Sequence, residues 1–177
     1  FLAILAISFF WTIGAVLIII FPPLVKNVLG ADEQVASLFI AIFSIGIATG
    51  SLLCERLSGH KVEIGLVPFG SIGMTVFGAD LYFAHPTSSG QLGLDVAAML
   101  DQPHIWRVLI DLSLMAIFSG FFIVPLFALV QARSDPARRS RVIAANNILN
   151  ALFMVVAAGL SGVLLNKAGL SIPGLLL

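Results

Sequence analysis

Long runs of uncharged residues alternate with short polar turns along the whole chain. The clearest turn covers residues 50–61, where an apolar run ends in Glu55 and Arg56 and is followed by glycine, histidine and lysine. The next apolar run begins almost at once, at Ile64. Two apolar runs of this length joined by a short basic turn are typical of a transmembrane helical hairpin whose turn lies in the cytoplasm.

The same pattern predicts the other spans. Residues 1–21 carry no charge and would form a helix about 30 Å long, which is the thickness of the hydrocarbon core of a bilayer. The predicted spans are residues 1–21, 35–56, 62–84, 105–130 and 142–165, with the start of a sixth after Pro173. Runs of this length without alternation are not barrel strands, so the predicted fold class is an all-α transmembrane helical bundle in one membrane domain.

The segments around the spans lead to three further expectations. Pro22 and Pro23 should disturb the first helix, because proline removes a backbone hydrogen bond. Residues 92–100 could form a short helix that lies at the membrane interface. Phe1 and Leu177 both lie in uncharged runs, so we expect the chain to be a piece of a longer protein.

Composition supports a membrane protein and the distribution of bases orients it. Of 177 residues, 59% are hydrophobic and 10% are charged, with a mean hydropathy of +1.10. Soluble domains carry about 25% charged residues. If the spans alternate, six of the nine bases fall on one side. The excess of bases places the turns at residues 57–63 and 131–141 in the cytoplasm.

The first of these turns contains a spaced motif. Gly50, Glu55, Arg56, Gly59 and Lys61 fit the pattern G-x(4)-[DE]-R-x(2)-G-x-[RK]. This pattern resembles the signature turn of the major facilitator superfamily of transporters, with one extra residue between the arginine and the second glycine. In that family the turn recurs after the eighth helix. The chain therefore resembles the C-terminal half, helices seven to eleven and the start of twelve, which implies a partner N-terminal half.

Further residues resemble the lysophospholipid transporter branch of that family. They are Phe10-Trp11, Gly14-Ala15, residues 50–59, residues 67–70, residues 124–126, Gln131 and Asn146-Asn147. The resemblance implies alternating-access transport of a lysophosphatidylethanolamine-like lipid across the inner membrane for re-acylation. Members of this branch are often fused to a glycerophospholipid acyltransferase and an acyl-carrier-protein synthetase. The resemblance therefore also implies a fused or associated acyltransferase as a partner.

The charges of the signature turn favour two interpretations. Glu55 lies at the C-terminal end of its helix, where the helix dipole favours cations, so the acid needs an outside partner. Arg133 or the arginines of residues 138–141 lie on the same membrane face and could serve. Such a pair would act as a latch that holds one state of a rocking transporter. Alternatively, the turn is solvated and its charges only set the topology.

Ionisable residues inside the spans are costly and therefore suggest either a transport pathway or a packing cluster. Asp111 lies one turn beyond Arg107. Asp80 ends the previous span at a similar depth, so Arg107 could bridge both acids. In the family the helix of Asp80 is peripheral, which favours a structural role. The helix of Asp111 corresponds to a cavity-lining one, so Asp111 is a candidate for substrate binding.

Amide and hydroxyl side chains provide the other substrate-binding candidates. Asn146 and Asn150 share a helix face and could either join two helices or contact a polar head group. Trp11 and Thr12, together with Ser8, form a polar patch in the middle of the first span. They could face a cavity or serve in packing.

Small residues recur at helical spacing in the spans. Gly46 and Gly50 form a G-x-x-x-G motif, which lets two helices approach closely but also arises by chance in a glycine-rich chain. Gly65, Gly70, Gly73 and Gly78 reduce the bulk of one side of the third span.

The remaining motifs narrow the class of protein. The sequence contains no H-E-x-x-H, phosphate-binding glycine loop, G-x-S-x-G or acyltransferase-type H-x(4)-D, so we expect no enzyme activity, cofactor or metal in this segment. The turn at residues 131–141 lacks interleaved aromatic residues, which favours anionic lipid head groups over nucleic acid. We therefore predict a transporter of an amphiphilic lipid in the bilayer. The alternative is a non-transporting, facilitator-like anchor or scaffold for a fused acyltransferase.

Overall fold

The computed structural model describes residues 1–59, 61–84 and 93–176, and most of this part of the chain is helical. Five of its helices are long and apolar enough to cross a membrane. The elements are α1 (Leu2–Asn27), α2 (Glu33–Leu57), α3 (Leu66–Ala84), α4 (Val96–Leu100), α5 (Pro103–Arg133), α6 (Arg139–Asn166) and the short 3₁₀ helix η1 (Pro173–Leu176). The predicted all-α bundle is confirmed.

The ends of the helices differ from the predicted ends by a few residues. Helix α1 continues through Pro22 and Pro23 to Asn27 rather than ending before the prolines. The segment stays helical because Leu24 and Val25 are buried in the core, and this packing outweighs the backbone hydrogen bonds that the prolines remove.

Three other segments differ from or refine the predictions. Helix α3 begins at Leu66 rather than at residue 62, after a turn in which the Gly65 N–H donates to the Glu63 carboxylate at 3.2 Å. Of the expected interfacial helix, α4 covers Val96–Leu100, and Leu92 lies outside the described residues. The sixth span stays a prediction, because only the short η1 lies at its expected start.

Both ends of α2 have identifiable capping interactions. At the start, the Asp32 carboxylate accepts hydrogen bonds from the backbone N–H groups of Gln34 and Val35 at 2.9 and 3.1 Å. At the end, Gly59 adopts a left-handed φ of +58°, which only glycine adopts without strain. The common left-handed geometry at a helix C-terminus thus explains this glycine without invoking function.

Helix α5 lies at the centre of the bundle, between α2 and α3. Glycines on all three helices permit the close approach. A Cβ atom added at Gly50 would overlap the backbone of Ile117, and one added at Gly70 would overlap the backbone of Phe122. The predicted close approach at the G-x-x-x-G motif is therefore confirmed.

The contacts also fix the directions of the helices. Along α2, Gly46 meets Ala116 and Gly50 meets Ile117, so α2 and α5 run parallel. Along α3, later residues meet earlier ones of α5, since Gly70 contacts Phe122 whereas Gly78 contacts Met115. Helix α3 therefore runs antiparallel to α5. Helices α2 and α5 consequently finish at the same end of the bundle, where α3 and α6 begin. We call this the basic end.

The surface of the bundle is apolar, as expected of a protein in lipid. On α6 the buried residues are Asn146, Asn150, Ala157 and Ser161, all polar or small. Large apolar residues face outward instead: Ile148, Leu152, Val155, Val156, Leu160 and Val163. An exposed apolar surface of this extent suits hydrocarbon rather than water. The chain is a multi-pass transmembrane protein.

Candidate functional site

A groove with a volume of about 530 Å³ lies between α1, α3 and α5. Met115, Ser119 and Phe122 of α5 form its floor, and Leu175 of η1 lies at one end. Gly14 of α1 also lines it, and a Cβ atom at that position would meet nothing within 4 Å. We call this cavity the membrane groove. It is larger than a second cavity, of about 410 Å³, that Ile42 of α2 and Trp106 of α5 line.

The polar side chains that line the membrane groove are all hydroxyls. Thr12 donates its hydroxyl hydrogen to the carbonyl of Ser8 at 3.2 Å, and Thr75 donates to the carbonyl of Ser71 at 2.9 Å. Ser119 does the same to the carbonyl of Met115 at 2.9 Å. A hydroxyl that donates to its own helix keeps its lone pairs, so each oxygen remains an acceptor. Among the described residues, none that lines the groove is charged.

A second polar feature, the α1–α6 seam, lies beside the groove. The Ser8 hydroxyl donates to the Asn150 side-chain oxygen at 2.8 Å, and both residues are buried. Asn146, one turn earlier on α6, is also buried, and its side-chain oxygen has no hydrogen-bond partner in the described part of the chain. The predicted shared face of Asn146 and Asn150 is the face that packs on α1.

The charged residues inside the spans are Asp80, Arg107 and Asp111. They lie toward the end of the bundle that is opposite the basic end. Arg107 donates from Nε to one carboxylate oxygen of Asp80 at 3.2 Å and from Nη2 to the other. The pair is partly exposed, at 56% and 39% of the two side chains. No hydrogen bond joins Arg107 to Asp111 among the described residues. The expected bridge between both acids is therefore not observed, because the Arg107 side chain extends across to α3 while Asp111 is buried on α5.

Asp111 itself is an unusual group for this environment. Only 3% of the residue is exposed, and one carboxylate oxygen has no hydrogen-bond partner in the part of the chain that is described. A buried acid is costly in a membrane and is typically retained for a packing cluster or for function. Asp111 does not line the membrane groove, but it lies one turn before Met115, which does.

The signature-turn residues divide into two groups. Gly50 and Gly59 have structural explanations, in the α2–α5 contact and in the end of α2. Glu55, Arg56 and Lys61 are exposed at the basic end, as is Arg133. The latch between Glu55 and the arginines of the second basic turn stays a prediction.

The sequence-predicted substrate residues do not form one site. Thr12 lines the membrane groove, whereas Asn146 and Asn150 lie in the α1–α6 seam and Asp111 lies near Asp80. Trp11 is outside the groove, with 38% of its surface exposed and its ring edge-on to that of Phe10.

The groove-lining residues of α3 and α5 were not among the sequence candidates. Ser71 and Thr75 lie one turn apart, a spacing that places two hydroxyls on one helix face and could have drawn attention to α3. Ser119 precedes Gly120, which contacts α2 closely in the structure, and no local sequence pattern marks this serine as lining a groove.

Within the described residues, no group of three or more histidine, cysteine, aspartate or glutamate side chains could hold a metal ion. No family model matches the chain, and neither the curated proteins nor the solved structures contain a match.

Proposed function

We propose that the chain belongs to a membrane transporter that binds an amphiphilic lipid in the membrane groove and moves it by alternating access. The cargo we propose is a lysophospholipid, carried across the inner membrane toward an acyltransferase on the cytoplasmic side. The observation that supports this proposal is the groove itself, a mostly apolar cavity of about 530 Å³ with a few hydroxyl acceptors. Small-molecule pockets in proteins are typically apolar cavities of roughly 300–1,000 Å³ with a few polar groups.

The shape of the groove suits a molecule that arrives from the bilayer. Phe9, Ser71 and Thr75 line the groove and are themselves exposed on the sides of α1 and α3. A molecule dissolved in the lipid could therefore enter sideways between these two helices. A single acyl chain would replace lipid contacts with contacts to Phe10, Phe122 and their neighbours.

The lining also constrains where a head group would lie. Hydroxyl oxygens can accept hydrogen bonds from an ammonium or hydroxyl group, but a phosphate needs hydrogen-bond donors or cations. Six of the nine bases of the chain lie at the basic end, where α3 starts and α5 finishes. We therefore propose that the acyl chain occupies the groove and that the phosphate lies toward the basic end.

Filling the groove tests the proposal. In the intact transporter, Gly14→Leu should lower lysophospholipid uptake by at least roughly tenfold, because the new side chain occupies open space in the groove. Uptake is measured with labelled lysophospholipid in proteoliposomes. The matched control is Gly159→Leu, at an exposed position on α6 that also has nothing within 4 Å of an added Cβ. The control should retain wild-type uptake.

Two outcomes would count against the proposal. Wild-type uptake by a well-expressed Gly14→Leu variant would remove the groove from the transport pathway. If the wild-type protein moves no lysophospholipid but a fused acyltransferase loses membrane attachment without this segment, the chain is an anchor or scaffold instead.

A further inference from the structure

The charges of the protein are separated between the two ends of the bundle. The basic end holds six bases, Arg56, Lys61, Arg133, Arg138, Arg139 and Arg141, and three acids, Glu55, Glu63 and Asp135. The remaining three bases and six acids belong to the other end, so a net charge of zero is divided into about +3 and −3. The protein is neutral as a whole, but its charge is therefore unevenly distributed along the axis of the bundle.

Four of the arginines at the basic end cluster at the connection between α5 and α6. Arg133 is the last residue of α5, Arg138 caps α6, and Arg139 and Arg141 lie in the first turn of α6. All four are exposed, and Arg138 lies 4.0 Å from the nearest carboxylate oxygen of Asp135. Most of this positive charge is therefore open to an external partner. We call these four residues the arginine turn.

The local structure makes this turn a poor place for cations without an anion nearby. The N-terminus of a helix carries partial positive charge from its unpaired N–H groups, which favours acids there. The first turn of α6 has no acid, and its cap makes no side-chain hydrogen bond. The guanidinium groups and the backbone thus add to the same positive field, which an external anion would relieve.

The position of the turn indicates which anion is available. It joins the ends of two helices that are long enough to span a membrane, so it lies at the depth of the lipid head groups. Helix α6 packs mainly on α1, so its start is joined to α5 by the turn itself rather than by an extensive helix contact. A head group beside the turn could contact arginines of both helices at once.

We propose that the arginine turn binds the head groups of anionic phospholipids and thereby holds the start of α6 against the end of α5. Arginine forms paired hydrogen bonds with phosphate oxygens, and an anionic lipid keeps a net negative charge that a zwitterionic lipid lacks. This inference does not depend on transport, since it concerns charges outside the membrane groove.

A lipid titration of the intact protein in detergent tests the proposal. Phosphatidylglycerol should raise the Tm and remain bound in native mass spectrometry, whereas phosphatidylcholine with the same acyl chains should have a much smaller effect. Arg139→Gln with Arg141→Gln should weaken phosphatidylglycerol binding by about 30-fold, since each base near an anionic surface contributes about 1 kcal/mol. The control, Lys26→Gln with Lys167→Gln at the other end, should bind like the wild type.

Further arms keep the result interpretable. Helical circular dichroism and unchanged phosphatidylcholine binding show that the arginine variant is folded; if it does not fold, Arg139→Lys, which keeps the charge but loses the paired hydrogen bonds, replaces it and should bind several-fold more weakly. Equal stabilisation by both lipids, an equal loss in the control variant, or the same stabilisation by inorganic phosphate alone would overturn the proposal. A short RNA that displaces the lipid at low concentration would also contradict it.

Discussion

Ser8 and Asn150 show how single polar groups are used inside an apolar bundle. The two side chains are buried and hydrogen-bonded to each other across α1 and α6. Their neighbour Asn146 is equally buried, yet its side-chain oxygen has no partner among the described groups. A satisfied amide and an unsatisfied one on the same helix face have different explanations. The bond to Ser8 favours a packing role for Asn150, whereas Asn146 keeps an acceptor without a partner among the described groups.

A double-mutant cycle of Ser8→Ala and Asn150→Ala measures the packing role. Because hydrogen bonds between membrane helices contribute about 0.6 kcal/mol on average, the coupling free energy should be close to that value. The measurement is the free energy of unfolding in mixed micelles titrated with a denaturing detergent. Fully additive effects would show that the two side chains are not hydrogen-bonded in the protein under these conditions.

The same variants distinguish packing from substrate contact. If Asn150 only joins two helices, Ser8→Ala and Asn150→Ala should change lysophospholipid uptake equally. If Asn150 contacts the head group, Asn150→Ala should lower uptake more than Ser8→Ala at equal stability.

Among the helices, α5 depends most on small residues. Its contact with α2 is so close that Gly50 and Gly120 each touch the backbone of the other helix. Proximity of this kind increases dispersion contacts, which drive helix association in lipid where the hydrophobic effect is lost. Helix α6 differs because it packs on α1 through amides, serine and alanine, and leaves its large apolar residues outside.

Enlarging Gly50 should therefore separate α2 from α5. Gly50→Leu is expected to destabilise the protein by about 1–3 kcal/mol or to prevent folding, because the side chain would overlap the Ile117 backbone. Gly159→Leu, on the outward face of α6, serves as the comparison and should leave the free energy of unfolding nearly unchanged. The same detergent titration reports both variants. Equal stability of the two would mean that the α2–α5 contact is looser than described.

The sequence predicted the helices well and the groove poorly, for physical reasons. Long uncharged runs can satisfy their backbone groups in lipid only as helices, so the existence of the spans follows from composition along the chain. The predicted end of α1 at residue 21 is wrong. Burial of Leu24 and Val25 keeps the helix intact beyond Pro23, and this burial depends on other helices. The groove arises from how α1, α3 and α5 sit around Gly14, and no local pattern encodes that arrangement.

At the scale of the whole molecule, the basic end is predicted to face the cytoplasm. A cysteine scan in intact cells tests this orientation after the buried native thiol is removed by Cys54→Ala. Ala137→Cys in the arginine turn should resist a membrane-impermeant thiol reagent, and Ala97→Cys in α4 should react with it. Both positions are exposed, so the comparison reports sidedness rather than burial. Labelling of Ala137→Cys from outside would reverse the proposed topology.

The separation of about +3 and −3 between the two ends has a consequence for an energised cell membrane. Each elementary charge moved across a potential of 100 mV changes energy by about 2.3 kcal/mol. With the positive end on the negative interior side, inverting the bundle would oppose the voltage by an amount of the order of 10 kcal/mol. The membrane potential would thus stabilise the orientation in which the basic end faces the cytoplasm.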